Sequence, residues 1–193
     1  MESNAANSNA SPQDEKRRRM LDAAFDVALR YGYQRMTMDD VAKASGMSRP
    51  ALYLQFKNKG EIFSAIAAEM LGKALDGAKA ALDGEGPIED RVFAAIKCGM
   101  LDPIEFLHST AHGAELMDMK HQLAGDVMTN WHAKKLAMVA KALEEAGVAA
   151  VKHLTGIQLG EILLDGMEGL KMRATTAQER HDGAKALVRL VAG

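Results

Sequence analysis

The sequence has little of several features that define common protein classes. It contains one cysteine, Cys98, among 193 residues, so no intrachain disulfide can form and no cysteine pair has zinc-site spacing. No apolar run reaches the roughly 18 residues that a membrane-spanning helix needs. The first residues also lack the basic and apolar regions of a secretory signal. These absences predict a cytoplasmic protein with no membrane partner.

The chain is also poor in the residues that build β-sheets. Aromatic residues make up 5% of the chain and proline occurs 4 times, whereas hydrophobic residues as a class reach 48%. Sheets draw on aromatic and β-branched residues, while Ala, Leu, Met, Lys and Glu favour helices. The positions of apolar residues and helix caps predict an all-α fold of about nine helices.

Composition and charge divide the chain into three parts. Residues 1–13 have no large apolar side chain after the first methionine and are predicted to be a disordered tail. Residues 14–59 are predicted to form a three-helix unit, and residues 60–193 a larger helical domain. The first 59 residues carry ten basic and seven acidic side chains, a net charge of +3, and the remainder carries −5. A basic module joined to an acidic one suggests a polyanion as the partner of the first.

Residues 37–59, TMDDVAKASGMSRPALYLQFKNK, contain two short predicted helices around a glycine. Thr37 and Ser48 occupy helix-capping positions, and Gly46 permits the turn between the helices. This arrangement predicts a helix-turn-helix whose second helix enters the major groove of DNA. The candidate DNA-binding residues are Thr37, Ser48, Arg49, Pro50, Ala51, Tyr53, Gln55, Lys57 and Lys59.

The side chains of this segment suit different parts of a DNA duplex. Arg49 can donate two hydrogen bonds to guanine, and Pro50 and Ala51 can pack on thymine methyl groups. Lys57 and Lys59 are expected to contact phosphates and to supply affinity that is independent of sequence. A basic run at residues 16–19 could also contact phosphates or could simply be solvated, and the sequence leaves both readings open.

The helix-turn-helix also carries a recognisable set of residue types at fixed spacing. They are Thr37, Val41, Ala42, Ala44, Gly46, Ser48, Leu52, Tyr53, Phe56 and Lys59. This set resembles the signature of TetR-family transcriptional regulators, over roughly residues 14–70. Gly60 departs from it, because the family commonly has an acidic residue there. The resemblance implies a homodimer on a pseudo-palindromic double-stranded operator and a repressor that a small-molecule effector releases.

In the C-terminal part the resemblance is only architectural, and it implies effector binding and dimerisation within residues 60–193. Apolar side chains that could line an effector pocket, or equally fill the core, are Phe93, Met100, Phe106, Met128 and Trp131. The candidate dimer interface consists of Leu154, Ile157, Ile162, Leu187 and Leu190. Four glycines of the same region, Gly156, Gly160, Gly166 and Gly169, are expected to let helices approach closely.

Two other kinds of functional site, a metal site and a catalytic site, have little support in the sequence. His108 and His112 are four residues apart and could hold a metal on one helix, but no matching cysteine or carboxylate pattern accompanies them, so we predict neither metal nor cofactor. No catalytic motif is recognisable by spacing, so we predict that the protein is not an enzyme. The alternative to a regulator is a helical, dimeric interaction module whose DNA-reading head is non-functional.

Overall fold

The computed structural model describes residues 11–193, apart from the side chains at positions 12, 120 and 121. These residues form eleven α-helices, one π-helical turn and no β-strand. The first four helices are α1 (Pro12–Tyr31), α2 (Met38–Ala44), α3 (Arg49–Tyr53) and α4 (Lys59–Leu82). The others are α5 (Ile88–Ile96), α6 (Asp102–His108), α7 (Gly113–Leu123), α8 (Gly125–Glu145), α9 (Val148–Lys152), α10 (Gly156–Arg173) and α11 (Ala177–Ala192). The all-α prediction is confirmed.

The first helix begins earlier than the sequence suggested. The predicted tail at residues 1–13 falls mostly on residues 1–10, which lie outside the described residues. Its last three residues belong to the start of α1. Ser11 is the N-cap, and it exchanges hydrogen bonds with Asp14 in a capping box. The expected start at Asp14 is therefore two residues late, because the Ser-Pro pair was not recognised as a helix start.

Two hydrophobic cores organise the fold, and α4 contributes to both. The first core packs α1, α2 and α3 around Ala24, Val41 and Leu52, and it continues into α4 at Ile62 and into α7 at Leu116. The second core joins α5, α8, α10 and α11. The predicted division at residue 59 therefore falls inside a continuous apolar core. A movement of α4 or α7 must be felt by the first three helices, because packed cores transmit displacement.

A π-helical turn over Lys97–Leu101 connects α5 to α6 without a break. The N–H of Asp102 bonds to the carbonyl of Lys97, five residues earlier. Proline is tolerated in the first turn of a helix, where its missing N–H is not needed. Pro103 accordingly lies in the first turn of α6.

The chain breaks between α6 and α7 at residues 109–112. The Ser109 hydroxyl donates a hydrogen bond to the Phe106 carbonyl, and the Thr110 hydroxyl donates one to the Leu107 carbonyl. These bonds compete with the helical pattern at the end of α6. A Cβ at Gly113 would lie 1.7 Å from the carbonyl oxygen of Leu107, so the chain can turn into α7 only with glycine there. This break and the short helix α9 account for the two helices beyond the predicted nine.

None of the helices within residues 11–193 combines the length and the apolar character that crossing a bilayer requires.

Candidate nucleic-acid interface

Side-chain caps fix the beginnings of α2 and α3. Thr37 accepts a hydrogen bond from the Asp40 N–H at 3.2 Å, and the Asp40 carboxylate accepts one from the Thr37 N–H at 3.0 Å. The hydroxyl and the N–H of Thr37 hold the pKa of Asp40 below its usual value. Ser48 accepts from the Ala51 N–H at 3.4 Å. Both predicted hydroxyls therefore act as caps that orient the two helices.

The turn between α2 and α3 depends on Gly46. Its φ of +66° lies in the left-handed region, which favours glycine. Leu52 then anchors α3 on the core with a fully buried side chain. The opposite side of α3 points outward, with Pro50 exposed, Tyr53 46% exposed and Leu54 88% exposed. This is the face that a helix-turn-helix presents to a major groove.

Arg49 is tied to the preceding helix by an ion pair. Its Nε lies 2.7 Å from the Asp39 Oδ1; the Arg49 side chain is 61% exposed and the Asp39 side chain 41%. The pair joins the first turn of α3 to the first turn of α2. Sequence reasoning missed Asp39, although its position in the TMDD run at the start of α2 placed an acidic side chain near the head.

The structure gives Lys59 a different setting from the phosphate contact that the sequence predicted. Its Nζ donates to the carbonyls of Tyr33 and Gln34 at 2.9 Å each and of Met36 at 3.2 Å. It also lies 4.6 Å from the centre of the Tyr33 ring. An ammonium group has three N–H donors, and all three are used here. Lys59 thus fastens the start of α4 to the loop between α1 and α2, whereas Lys57 is exposed.

The basic run at residues 16–19 lies beside the end of α3. The Arg17 guanidinium stacks over the Phe56 ring with its carbon 4.7 Å from the ring centre. Arg17 and Gln55 line the same shallow surface groove. All four basic side chains are exposed. Arg17 therefore brings positive charge from α1 beside Gln55, just after the end of α3.

The comparisons with known proteins agree with this geometry. A family model described as bacterial regulatory proteins, tetR family, matches residues 20–66, the span from the middle of α1 into α4. Residues 20–66 belong to the TetR family. The prediction drawn from the residues of the helix-turn-helix is thereby confirmed.

One curated relative and two solved structures illustrate the extent of the likeness. The transcriptional activator FasR of Mycolicibacterium smegmatis is 33% identical over 89 residues, which cover 46% of this chain and 41% of that one. A structure described as a TetR-family regulator from Mesorhizobium loti covers 94% of this chain and 96% of its own at a TM-score of 0.69 and 16% identity. SmeT, described as the repressor of the Stenotrophomonas maltophilia efflux pump SmeDEF, covers 89% and 86% at a TM-score of 0.64 and 19% identity.

The two kinds of comparison support different statements. This chain spans about two fifths of the length of FasR. The structural matches extend over nearly the whole chain and show that the TetR-family fold continues through the C-terminal helices. The curated relatives are named as transcriptional regulators and not as enzymes, in agreement with the prediction that the protein is not an enzyme.

The chain contains an apolar cavity of about 410 Å³ between α1, α4, α6 and α7. Its wall includes Phe25 of α1, Phe63 and Met70 of α4, and Phe106 of α6. The rings of Phe25 and Phe106 are 6.3 Å apart. A cavity of this size lies in the range that small organic ligands occupy. The helical spacing of Phe25 and Phe63 in the sequence gives no sign of such a void.

Of the five predicted pocket residues, the structure brings only Phe106 to this cavity. Met100, Met128 and Trp131 are buried in the second core. The Lys135 Nζ lies 4.0 Å from the Trp131 ring centre and 3.3 Å from the Met100 Sδ. These three side chains therefore fill the core, which was the alternative that the sequence left open.

The remaining predicted pocket residue, Phe93, packs on α11. Its ring meets His181 edge to face at 5.0 Å, and the Lys185 Nζ lies 5.4 Å from its centre. Phe93 therefore does not line the apolar cavity, and it contributes to the contact between α5 and α11.

A carboxylate of α7 links the cavity region to the DNA-binding head. Glu115 accepts a hydrogen bond from the Gln34 N–H at 2.7 Å, and its other oxygen lies 3.5 Å from the His112 Nδ1. Gln34 is in the same loop that Lys59 holds. His108 ends α6 and His112 precedes α7, so the two histidines do not share a helix as predicted. Among the described side chains no group of three metal-ligating residues converges.

The predicted dimer residues lie on α10, α11 and the turn before α10. Ile157 and Ile162 are 49% and 47% exposed, and Leu190 is 68% exposed. Leu154 and Leu187 are partly buried within the chain. The predicted glycines mostly serve contacts inside the chain: Gly156 and Gly160 face α8 and Gly166 faces α11, while only a Cβ at Gly169 would meet open space.

Proposed function

We propose that this TetR-family chain is a dimeric, sequence-specific DNA-binding regulator, and that it represses transcription until a small molecule releases it. The observation that carries the proposal is the outward face of α3, capped by Ser48 and held to α2 by the Arg49–Asp39 pair. A short helix held this firmly, with its exposed side free of the core, is suited to read base edges.

The DNA contacts divide into reading and positioning. Arg49, Pro50, Ala51 and Tyr53 are placed to meet base edges. Thr37, Ser48 and Gln55 lie at the ends of the two helices, where free backbone N–H groups and polar side chains suit phosphates. Lys57 and the basic run at residues 16–19 supply the positive charge that a phosphate backbone attracts.

Dimerisation through α10 and α11 would place two such heads on one duplex. Ile157, Ile162 and Leu190 leave apolar surface exposed on these helices, and a second copy offers an identical surface to cover it. Leu154 and Leu187 are partly buried and pack against the second core next to this surface. A two-fold symmetric dimer requires a site with inverted half-sites.

The apolar cavity is the proposed effector site. Its wall belongs partly to α1, through Phe25, and partly to α4, α6 and α7. A ligand that separates the rings of Phe25 and Phe106 would displace α1 from α6 and so tilt the head. Related support comes from SmeT, which has been solved as a complex with triclosan. Repression is the direction proposed, because occupation of promoter DNA by itself blocks transcription, whereas activation needs an additional contact.

A selection from random or genomic DNA with the purified full-length protein tests this function. We expect enrichment of a short inverted repeat, bound by a dimer with an affinity that falls steeply between about 50 and 200 mM salt. A reporter gene placed behind the selected site should be repressed by the protein. Failure to enrich any DNA at any salt would contradict the proposal and favour a dimeric interaction module with a non-functional head.

A further inference from the structure

The outward face of α3 is apolar at its centre. Leu54, which has helical backbone angles, is 88% exposed, and Pro50 four residues earlier is exposed on the same side. Leu52 is fully buried on the other side. At about 100° per residue, positions 50 and 54 each lie within about 20° of the direction opposite Leu52. When α3 enters a major groove, the apolar side chains of Pro50 and Leu54 therefore face the base edges most directly.

The polar side chains of α3 lie on one flank of this face. Arg49 is about 120° from the outward direction by the same helical spacing. Its guanidinium is drawn toward α2 by the Asp39 carboxylate at 2.7 Å. Tyr53, four residues later, is 46% exposed and lies on the same flank. Hydrogen-bonding side chains are thus available along one edge of the contact, while its centre offers only Leu54 and Pro50.

Base edges in the major groove present one hydrocarbon group, the C5 methyl of thymine. An apolar side chain pressed on an amino or carbonyl edge would strip that group of water without replacing the hydrogen bond, which is unfavourable. Pressed on a methyl group, the same side chain gains from burial. We propose that Leu54, together with Pro50, makes the protein select thymine methyl groups at the centre of each half-site. This inference rests on the proposed DNA-binding function.

Exposure alone would not justify this role, since single exposed apolar residues are common on protein surfaces. Val151 on α9 is 79% exposed and carries no such inference. What distinguishes Leu54 is its position beside Tyr53 on the face that the caps of α2 and α3 orient outward.

The test removes methyl groups from the DNA and leaves everything else in place. A site is first selected from DNA that contains thymidine, and each thymidine is then replaced in turn by deoxyuridine, which lacks only the C5 methyl. We expect about a fourfold loss of affinity for each methyl under Leu54 or Pro50, the effect of one buried carbon group. Deoxyuridine at other positions should be bound as tightly as thymidine.

Two variants assign the effect to a residue. For each position we compare the affinity for the site with thymidine to the affinity for the site with deoxyuridine. With L54A, the ratio of these two affinities should fall close to one at one position of each half-site. With V151A, a matched loss of an exposed apolar side chain, every ratio should stay at its original value. Leu54 is exposed, so L54A should fold as the parent does, which circular dichroism can verify.

The outcomes separate this inference from the function beneath it. Full affinity for a site in which every thymidine is replaced by deoxyuridine would overturn the methyl readout and leave the regulator proposal intact. An unchanged ratio in L54A would overturn the assignment to Leu54. Failure to select any DNA would overturn both the inference and the proposed function.

Discussion

Replacing Lys59 with methionine separates a lysine that organises the head from one that binds DNA. The variant K59M loses the ammonium but keeps an unbranched side chain of similar length over the Tyr33 ring. The ammonium donates to three backbone carbonyls at 2.9, 2.9 and 3.2 Å. Hydrogen bonds from a charged donor contribute about 1.5–3 kcal/mol each in mutational series.

The three bonds share one donor group at a partly exposed position, so their contributions do not add. We expect K59M to lower the free energy of unfolding by about 2–3 kcal/mol in total. For a chain of this size, that corresponds to a fall in Tm of about 4–12 °C. The dependence of DNA binding on salt should stay unchanged, because Lys59 has no donor left for a phosphate.

Lys57 supplies the matched control, since it lies two residues away and its side chain is exposed. K57M should leave Tm within a degree or two and reduce the salt slope of non-specific DNA binding by about 0.9, the value for one lost phosphate contact. Thermal unfolding at equal protein concentration and anisotropy titrations at several salt concentrations measure both quantities. If K59M kept the parent Tm and lost about 0.9 of the slope, the carbonyl contacts would not describe the role of Lys59.

Three further predictions concern the dimer, the cavity and the cap of α2. The double variant I157E/I162E should sediment as a monomer, whereas L54E, which charges an equally apolar exposed position in the head, should remain a dimer; a dimeric double variant would contradict the proposed interface. Apolar molecules that bind the cavity should stabilise the protein by about 2.7 kcal/mol at one hundred times their Kd. The variant A74L, which adds carbon atoms to the cavity wall, should abolish this thermal shift, and a shift of parent size in A74L would place the ligand elsewhere. The pKa of Asp40 is lowered by its hydrogen bonds from Thr37, so its contribution to stability is present at pH 7 and is lost as the pH falls below about 4. The Tm difference between the parent and D40N should therefore shrink on acidification, and a constant difference from pH 7 to pH 3 would refute this role of the carboxylate.

Helix caps and turns are the features of this fold that could be predicted directly from the sequence. Thr37 and Ser48 are capping residues by type and by spacing, and each caps the predicted helix in the structure. Glycine after α2 indicated a turn, and Gly46 has the positive φ that the turn needs. These features depend on a few neighbouring residues, so they need no knowledge of the tertiary packing.

The parts that sequence reasoning missed depend on contacts between distant residues. Whether Trp131 lines a void or fills a core is decided by how α8 packs on the rest of the domain, and its apolar character is the same in both cases. Lys59 was read as a phosphate ligand because its charge is visible, whereas the three carbonyls that hold it lie 23 to 26 positions earlier. The Glu115 link to Gln34 joins residues 81 positions apart.

The π-helical turn at Lys97–Leu101 sets the rotational phase of α6. Such a turn holds one residue more than an α-helical turn. The extra residue is taken up without turning the helix that follows, because the residues of a π turn complete about the same rotation as one fewer residue of an α-helix. If the same residues formed a regular α-helix, α6 would be rotated by about 100° about its axis. Phe106 would then leave the cavity wall and another side chain would face Phe25. The identity of the pocket therefore depends on this local backbone geometry as much as on residue type.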